Sequence, residues 1–325
     1  MPTLLVCTIG GHLVELADIA GRLPDDGDNI RVWATFDHPQ SRSLLANEPN
    51  VEFIPRVSPR DIRGIMQNLP IAHRLMREWK FTRVISTGSA TALAYLPYLA
   101  LRGVPTHYID SATRIDGDSE TAKVLKRVPR VHMYTQWKHL ATGKTHYAGA
   151  VFDGFVGETR AEAPKIQRVV VTLGTMLTPF RALLETLIPM IGPGGELERR
   201  QGAPVEVLWQ TGTTPVDGLD IDASPMIPAA DLDDAIAAAD LVVGHAGVGS
   251  SLTSLIAGKF PLLVPRRASA GEIVDDHQDL FARELEKRDI AMRRSPDNLT
   301  VDDLILASTR FVSRAGAPEQ FHLIG

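Results

Sequence analysis

Short apolar runs alternate with longer helical patterns along the chain. In the first half the strand-like runs are TLLVCT, IRVWAT, VEFI, RVIST, PTHYI and VHMYT. Helical patterns cover residues from about Leu13 to Arg22 and from about Ser89 to Leu101. Strands separated by helices predict βαβ units and a parallel sheet.

The same alternation starts again in the second half. The strand-like runs there are RVVVTLGT, VEVLWQTG, ADLVVGHAG and FPLLVP. Helices are predicted from about Phe180 to Ile191, over DLDDAIAAA and from Asp275 to Lys287. A polar, irregular stretch, Gly154–Pro164, separates the two series and is predicted to be a linker.

We therefore predict an α/β protein of two Rossmann-like domains whose parallel sheets face a cleft. The first domain is expected over residues 1–153, the linker over 154–164 and the second domain over 165–312. Residues 313–325 are expected to form a C-terminal tail that packs back on the first domain.

Composition narrows the class of protein. A chain of 325 residues with 44% hydrophobic and 22% charged residues is typical of a soluble globular protein. Its single cysteine, Cys7, lies in an apolar run and is expected in the core; one cysteine excludes an internal disulfide and favours a cytoplasmic location. We recognise no signal peptide, and the charge-free runs 84–101 and 241–258 contain too much Ser, Thr and Gly to predict a membrane span.

Charge is distributed unevenly. The first 150 residues carry 18 Lys and Arg against 14 Asp and Glu, and the rest carry 16 against 25. The stretch from Arg56 to Arg83 holds seven basic and two acidic residues. Such a stretch suits an anionic membrane surface, although a solvated helix face has the same pattern.

A glycine-rich loop follows the apolar run before His245. In GHAGVGSS the absence of a Cβ on glycine lets the backbone approach an anion closely. We expect Ser250 and Ser251 to cap the next helix, whose positive end favours phosphate. His245 is expected to donate to a diphosphate, with a core histidine as the alternative; the loop fits neither a P-loop nor the dinucleotide fingerprint.

The segment HAGVGSSLTSLIAGKFPLLVPRRASAGEIVDDHQDLFARELEKRDIA resembles the nucleotide-sugar half of the GT-B glycosyltransferases of family 28. VVVTLGTMLTPF is similar to the start of the PssE-type exopolysaccharide subunit. TIGGHLVEL, STGSATALAYLPYLALRG and YIDSATRIDGDSETAK are similar to its PssD-type partner. The chain looks like both subunits fused, as in the MurG arrangement.

The resemblance implies a UDP-sugar site in the second domain and an acceptor site in the first. For the donor it implies two loops near the diphosphate, a cleft lining, a backbone contact to uracil and hydrogen bonds to sugar hydroxyls. The implied donor residues are Gly174, Thr175, Gln210, Thr211, Gly212, Ile227, His245, Gly247, Val248, Gly249, Ser250, Thr253, Arg266, Asp276, His277 and Gln278. The implied acceptor residues are Gly10, Gly11, Thr87, Gly88, Ser89, Ser111 and Arg114.

Three details modify this picture. Many GT-B enzymes have Glu where this chain has Thr253, which leaves the recognition of the ribose open. Arg266 and Arg267 either bind a uronic acid carboxylate or pair with nearby acids. The DxD triplets at 116–118, 220–222 and 231–233 suggest a metal site, but Asp231 opens a helix and the others lie in polar loops. We therefore expect no metal and no cofactor other than the UDP-sugar.

Catalysis is expected at His12, which follows two glycines at the end of the first strand-like run. The family places a candidate base at this position, and the ordinary pKa of histidine, near neutrality, suits the task. Alternatively His12 caps the helix or contacts the acceptor diphosphate. Glu15, one turn later, either orients the His12 ring or is only an acid at the start of a helix.

We predict an inverting glycosyltransferase that moves a sugar from a UDP-sugar to a polyprenyl-diphosphate-linked sugar. The expected location is cytoplasmic and peripheral at the inner membrane face, without nucleic acid as a partner. A soluble small-molecule acceptor, a UDP-sugar 2-epimerase and a regulatory UDP-sugar binder are the alternatives. Acceptor-dependent release of UDP separates these alternatives.

Overall fold

The chain divides into two compact units, described one at a time below. Unit 1 comprises Met1–Asp153 with Pro318–Gly325, and unit 2 comprises Gly154–Ala317. The structure, a computed structural model, describes residues 2–24, 30–58, 60–175, 178–273, 276–316 and 319–324. Asp275, where a helix is predicted to begin, and three residues of the predicted tail (317, 318 and 325) lie outside the described residues.

Unit 1 contains a seven-stranded parallel sheet with the order β3-β2-β1-β4-β5-β6-β7. Its strands are β1 (Thr3–Cys7), β2 (Arg31–Thr35), β3 (Val51–Phe53), β4 (Arg83–Gly88), β5 (Thr106–Ile109), β6 (Val131–Thr135) and β7 (Thr145–Tyr147). Its helices are α1 (Gly11–Gly21), α2 (Pro39–Leu44), α3 (Ile62–Trp79), α4 (Ala92–Ala100) and α5 (Glu120–Leu125).

The core of unit 1 explains why its strands are continuous apolar runs. Every residue of β1 and five of the six residues of β4 are buried. Helices cover both faces of a parallel sheet, so neither face needs polar side chains. Phe321 of the C-terminal segment is also fully buried, and its backbone amide donates to the Arg22 carbonyl oxygen.

Unit 2 contains a six-stranded parallel sheet and a separate antiparallel strand pair. The sheet has the order β11-β10-β9-β12-β13-β14, with β9 (Arg168–Thr172), β10 (Glu206–Gln210), β11 (Ala223–Ser224), β12 (Leu241–Gly244), β13 (Leu262–Leu263) and β14 (Met292–Arg293). The antiparallel pair is β8 (Phe155–Thr159) with β15 (Arg310–Arg314). The helices are α6 (Arg181–Ile191), α7 (Glu196–Gln201), α8 (Ala229–Ala238), α9 (Val248–Ile256), α10 (His277–Lys287) and α11 (Val301–Ser308).

The strand β8 corrects the prediction of an irregular linker. Phe155–Thr159 pairs along its whole length with Arg310–Arg314, so the expected tail start at residue 313 also lies inside a strand. Phe155 and Val312 are buried, whereas Val156 and Glu158 are exposed. A two-stranded ribbon needs few apolar residues, and its sequence therefore resembles that of a loop.

The strand orders confirm the predicted α/β fold with parallel sheets and locate the place where a ligand would bind. In each sheet the order reverses between the first strand and the fourth: β1 and β4 in unit 1, β9 and β12 in unit 2. Ligands of open α/β sheets bind at this switch point, beyond the carboxyl ends of the strands. The loops after these four strands are therefore the candidate sites.

Candidate functional site

The switch point of unit 1 gathers most of the predicted acceptor residues. Gly10, with a φ of 80°, precedes α1, which begins at Gly11. The Gly10 amide donates to Gln40 Oε1 at 2.8 Å, and the Thr8 amide donates to the Gly88 carbonyl oxygen at 3.1 Å. The loops after β1 and β4 are therefore adjacent, and Ser89 follows directly on the second loop.

His12 lies in the first turn of α1 with its ring held by the loop after β4. Its Nδ1 is 2.8 Å from the Thr87 carbonyl oxygen, and Thr87 Oγ1 donates back to the His12 carbonyl oxygen at 2.7 Å. A carbonyl oxygen only accepts, so the neutral ring carries its proton on Nδ1 and keeps a lone pair on Nε2. That is the form that a general base needs.

Burial, with a smaller contribution from the positive charge of Arg114, lowers the pKa of His12 to about 4. The expectation of a pKa near neutrality is therefore wrong. The ring is neutral at pH 7 and is a weak base.

Glu15 does not orient the His12 ring, which corrects one prediction for this residue. The hydrogen bond of His12 Nδ1 goes to Thr87, whereas Glu15 Oε1 accepts from the Ala112 amide at 2.8 Å and from Gln136 Nε2 at 3.1 Å. Burial raises the pKa of Glu15 to about 7. Glu15 is therefore connected to the loop after β5.

The loop after β5 contains Ser111 and Arg114 together with Asp110, which the sequence analysis missed. Asp110 Oδ2 accepts from the Ser119 amide at 2.9 Å, and Oδ1 accepts from the Ser111 amide at 3.2 Å. Burial raises the pKa of Asp110. Its position directly after the apolar run PTHYI is the signal that would have identified it.

The switch point of unit 2 is arranged around the His245 imidazole. A Cβ at Gly174 would lie 2.2 Å from His245 Cε1, and a Cβ at Gly247 would lie 2.3 Å from His245 Nε2. The ring, which belongs to the loop after β12, therefore packs against Gly247 of its own loop and against Gly174 of the loop after β9. Gly212 extends the cluster, because a Cβ there would lie 2.5 Å from the Gly174 carbonyl oxygen.

His245 is a neutral ring. Its Nδ1 is 3.3 Å from the Thr172 carbonyl oxygen. Burial lowers the pKa of His245 to about 3, with a smaller contribution in the same direction from the charge of Arg266. The ring is therefore uncharged at pH 7 and buried, as in the core-histidine alternative, and its donation to a diphosphate stays a prediction.

The first turn of α9 differs in detail from the prediction. Gly247 is the N-cap and Val248, Gly249 and Ser250 form the first turn. Ser250 Oγ donates to the Gly247 carbonyl oxygen at 3.2 Å, and Ser251 is buried, so neither serine caps the helix. The helix begins two residues earlier than the predicted cap, and its first backbone amides lie at the carboxyl end of β12.

Arg266 is the buried cation of this switch point. Its guanidinium lies 5.1 Å from the centre of the Phe180 ring and donates to the Leu173 carbonyl oxygen at 3.1 Å. Burial lowers the pKa of Arg266 to about 10, which leaves it charged at pH 7. Arg267 instead pairs with Asp297 at 2.5 Å and with Glu272 at 3.6 Å, so the two arginines do not form a joint carboxylate clamp.

The remaining predicted donor residues fall into two groups. Gln210, Thr211 and Gln278 are buried, and Gln278 Oε1 accepts from the Arg266 amide at 3.0 Å; the contact of Gln278 with a sugar hydroxyl stays a prediction. The half-buried or exposed residues are Thr175, Ile227, Thr253, Asp276 and His277. Those five side chains are accessible to a ligand.

Two of the three DxD triplets contain an acid with a structural role. Lys126 Nζ lies 2.6 Å from Asp118, and Asp231 lies in the first turn of α8. Within the described part of the chain, no group of three His, Cys, Asp or Glu side chains is arranged to hold a metal ion. Among the helices that the structure describes, none has the length and apolarity to cross a membrane.

Solved structures of similar architecture show the fold, which is the GT-B fold of glycosyltransferases. MurG of Acinetobacter baumannii superposes with a TM-score of 0.57, 20% identity and coverage of 94% of this chain and 89% of that chain. The glycosyltransferase SnogD from Streptomyces nogalater gives a TM-score of 0.60, 16% identity and coverage of 95% and 92%. The predicted fold class is thus confirmed.

Sequence comparison then identifies the domain. Residues 185–319 match the glycosyltransferase family 28 C-terminal domain, from within α6 to beyond β15. A relative from Solibacter usitatus (strain Ellin6076) is 34% identical over 138 residues, an alignment that spans 38% of this chain and only 37% of the relative. Its name is UDP-N-acetylglucosamine--N-acetylmuramyl-(pentapeptide) pyrophosphoryl-undecaprenol N-acetylglucosamine transferase. The resemblance to family 28 and to the MurG arrangement is confirmed.

The neutral His245 predicts acid-sensitive folding. Its folded-state pKa of about 3 lies below the ordinary value of 6.5, so the unfolded chain takes up the proton first and stability falls as the pH decreases from about 6.5. We expect a loss of up to about 1.4 kcal/mol per pH unit from this residue. The free energy of unfolding, measured with urea at pH 6.5, 5.5 and 4.5, should depend less on pH in His245→Asn than in the wild type. In His146→Asn, a control at an exposed position, it should depend on pH as in the wild type.

Proposed function

We propose that the chain is an inverting glycosyltransferase that transfers a sugar from a UDP-sugar to a lipid-linked acceptor. The observation that carries the proposal is the packing of the His245 ring against Gly174 and Gly247, beside the first turn of α9. This arrangement lies in the part of the chain that matches the family 28 C-terminal domain. The name of the Solibacter relative contains a UDP-sugar and a pyrophosphoryl-undecaprenol acceptor, and it supports both the proposed donor class and the proposed acceptor class.

The donor diphosphate would bind the backbone amides of Gly174 and Thr175 and those of the first turn of α9. The positive end of a helix favours phosphate, and the buried charge of Arg266 beneath Leu173 adds to the positive potential. Ile227 would offer its backbone to the uracil, and Asp276 and His277 would contact sugar hydroxyls. The ribose would lie near Thr253, so thymidine diphosphate belongs among the nucleotides to be tested.

His12 would act as the base. In an inverting transfer the acceptor hydroxyl attacks the anomeric carbon, the bond to UDP breaks, and the hydroxyl proton passes to His12 Nε2. A diphosphate bound near Gly10 and Gly11 would raise the pKa of the imidazole from about 4, because a nearby negative charge favours the protonated ring. The departing UDP would be stabilised by the first turn of α9 without a metal ion.

The test of the proposal is acceptor-dependent release of UDP. A panel of UDP-sugars is incubated with and without polyprenyl-diphosphate-linked sugars, with and without EDTA. We expect release only with acceptor and equally in EDTA. Release without acceptor would indicate hydrolysis or epimerisation, and release with a water-soluble acceptor alone would remove the lipid-linked substrate from the proposal.

Gly174→Ala should weaken UDP binding at least tenfold, because the alanine Cβ would lie only 2.2 Å from His245 Cε1 and would displace the ring. Gly202→Ala is the matched control: Gly202 has a φ of +64°, close to the +69° of Gly174, but no heavy atom within 4 Å of a Cβ. Both variants carry the strain of a left-handed alanine, about 1–2 kcal/mol. Equal UDP affinity of the two variants by calorimetry would exclude the Gly174 loop from the donor site.

His12→Ala should lower turnover by roughly 10²–10⁴-fold, the usual range for loss of a general base. UDP affinity should stay within about twofold of the wild type, because the His12 ring contacts the loop after β4 and is not part of the proposed donor loops after β9 and β12. Near-normal turnover with the true acceptor would show that another group takes the proton.

The membrane surface is proposed to contact α3. Ile62 and Met66, one turn apart on this helix, are 73% and 60% exposed, and Arg63 and Arg77 are exposed as well. Arg74 is less suitable, because it pairs with Glu52 at 2.5 Å and with Glu78 at 3.5 Å. Exposed apolar side chains among cations are typical of a peripheral membrane surface.

Arg63→Glu with Arg77→Glu should weaken binding to anionic vesicles, since each cation near such a surface contributes about 1 kcal/mol. Ile62→Ser should weaken binding independently of salt, because it removes apolar area. Sedimentation with vesicles of anionic and of neutral lipid measures both effects. Absence of wild-type binding to anionic vesicles at low salt would contradict the membrane proposal.

A further inference from the structure

Glu15 is a fully buried carboxyl group that the transfer step above does not use. It lies one turn after His12 on α1, with no exposed surface. Its Oε1 accepts two hydrogen bonds, from the Ala112 amide and from Gln136 Nε2. Burial of a carboxyl group costs free energy unless the group is hydrogen-bonded, so the partners of these bonds are informative.

Both partners are connected to one loop, residues 110–114, which we call the acceptor loop. Ala112 lies in this loop, and Gln136 is hydrogen-bonded to it. Gln136 Nε2 also donates to the Asp110 carbonyl oxygen at 3.2 Å, and Trp137 Nε1 donates to the Ala112 carbonyl oxygen at 3.0 Å. Ala112 is thus hydrogen-bonded through its amide to Glu15 of α1 and through its carbonyl oxygen to Trp137, which follows β6. The acceptor loop has a fixed position relative to α1.

The fixed position matters because His12 lies on the same helix. The acceptor loop contains Ser111 and Arg114, and the charge of Arg114 acts on the His12 ring. A rigid helical turn therefore joins the proposed base to the carboxyl group that holds the loop. Release of Ala112 would change the distance between the loop and His12.

We propose that Glu15 is a positioning residue that fixes the acceptor loop beside His12 and thereby sets the affinity for the acceptor. The proposal rests on the proposed function for its substrate and on the hydrogen bonds of Glu15 for its geometry. It predicts that acceptor KM depends on Glu15 and that donor affinity does not.

Titration of the group gives the proposal a distinctive signature. Burial, with a smaller contribution from the neighbouring carboxyl group of Asp110, raises the pKa of Glu15 to about 7 against the lowering effect of its hydrogen bonds. The groups that face Glu15 are Cys7 on β1, Asp110 and Ser111 on the acceptor loop, and Gln136 after β6. An ionised carboxylate accepts stronger hydrogen bonds than a neutral acid, so the loop is held more firmly above pH 7 than below it.

Glu15→Gln is the decisive variant, because it keeps the size of the side chain and an oxygen for the Ala112 amide but does not ionise. In the wild type we expect acceptor KM to rise at least threefold from pH 8 to pH 6, with the KM of the UDP-sugar unchanged. In Glu15→Gln the acceptor KM should be equal at the two pH values. Asp18→Asn, one turn further along α1, should keep the wild-type profile. A rise that persists in Glu15→Gln would overturn the proposal.

Hydrogen exchange separates failure of this proposal from failure of the proposed function. Wild-type protein that transfers no sugar to any acceptor would refute the function, whereas exchange reports on the loop without turnover. The Ala112 amide should exchange at least tenfold faster in Glu15→Ala than in the wild type, with β9 and β12 unchanged. Unchanged exchange at Ala112 would show that Glu15 does not hold the loop.

Discussion

Close contact between the His245 ring and two glycines organises the switch point of unit 2. The ring belongs to the loop after β12 and occupies the space where Cβ atoms of Gly174 and Gly247 would lie, so the loops after β9 and β12 approach each other closely because Gly174 lacks a side chain. The same contact places the first turn of α9 beside the loop after β9. Backbone amides then converge there, and the ring remains neutral because it is buried.

Burial shifts the pKa values of the ionisable side chains at both switch points toward their neutral forms. His12 and His245 are held neutral with low pKa values, and the carboxyl groups of Glu15 and Asp110 have raised pKa values. Arg266 stays charged at pH 7, because its ordinary pKa is so high that burial leaves it near 10. Helix N-termini and this buried guanidinium are therefore the sources of positive potential at the switch point of unit 2.

The site residues and the groups that support them lie on different elements. His12 is on α1, its carbonyl partner Thr87 ends β4, and the loop held by Glu15 follows β5. In unit 2, the Arg266 backbone amide donates to Gln278 on α10, and its guanidinium donates to Leu173 after β9. Several strand ends of one parallel sheet thus contribute to each site, as expected at a switch point.

The sequence by itself determined the strands of both sheet centres and the residues at their ends. The runs TLLVCT, RVIST, RVVVTL and LVVG are rich in apolar residues because parallel strands are covered on both faces, so β1, β4, β9 and β12 were predictable. The strands β8 and β15 were not, because a two-stranded ribbon has little apolar signal. Only the tertiary structure decided what His12, Glu15 and His245 do. Their pKa values and hydrogen bonds depend on burial and on partners distant in sequence, such as Thr87, Ala112 and Gly174, and a local pattern does not contain that information.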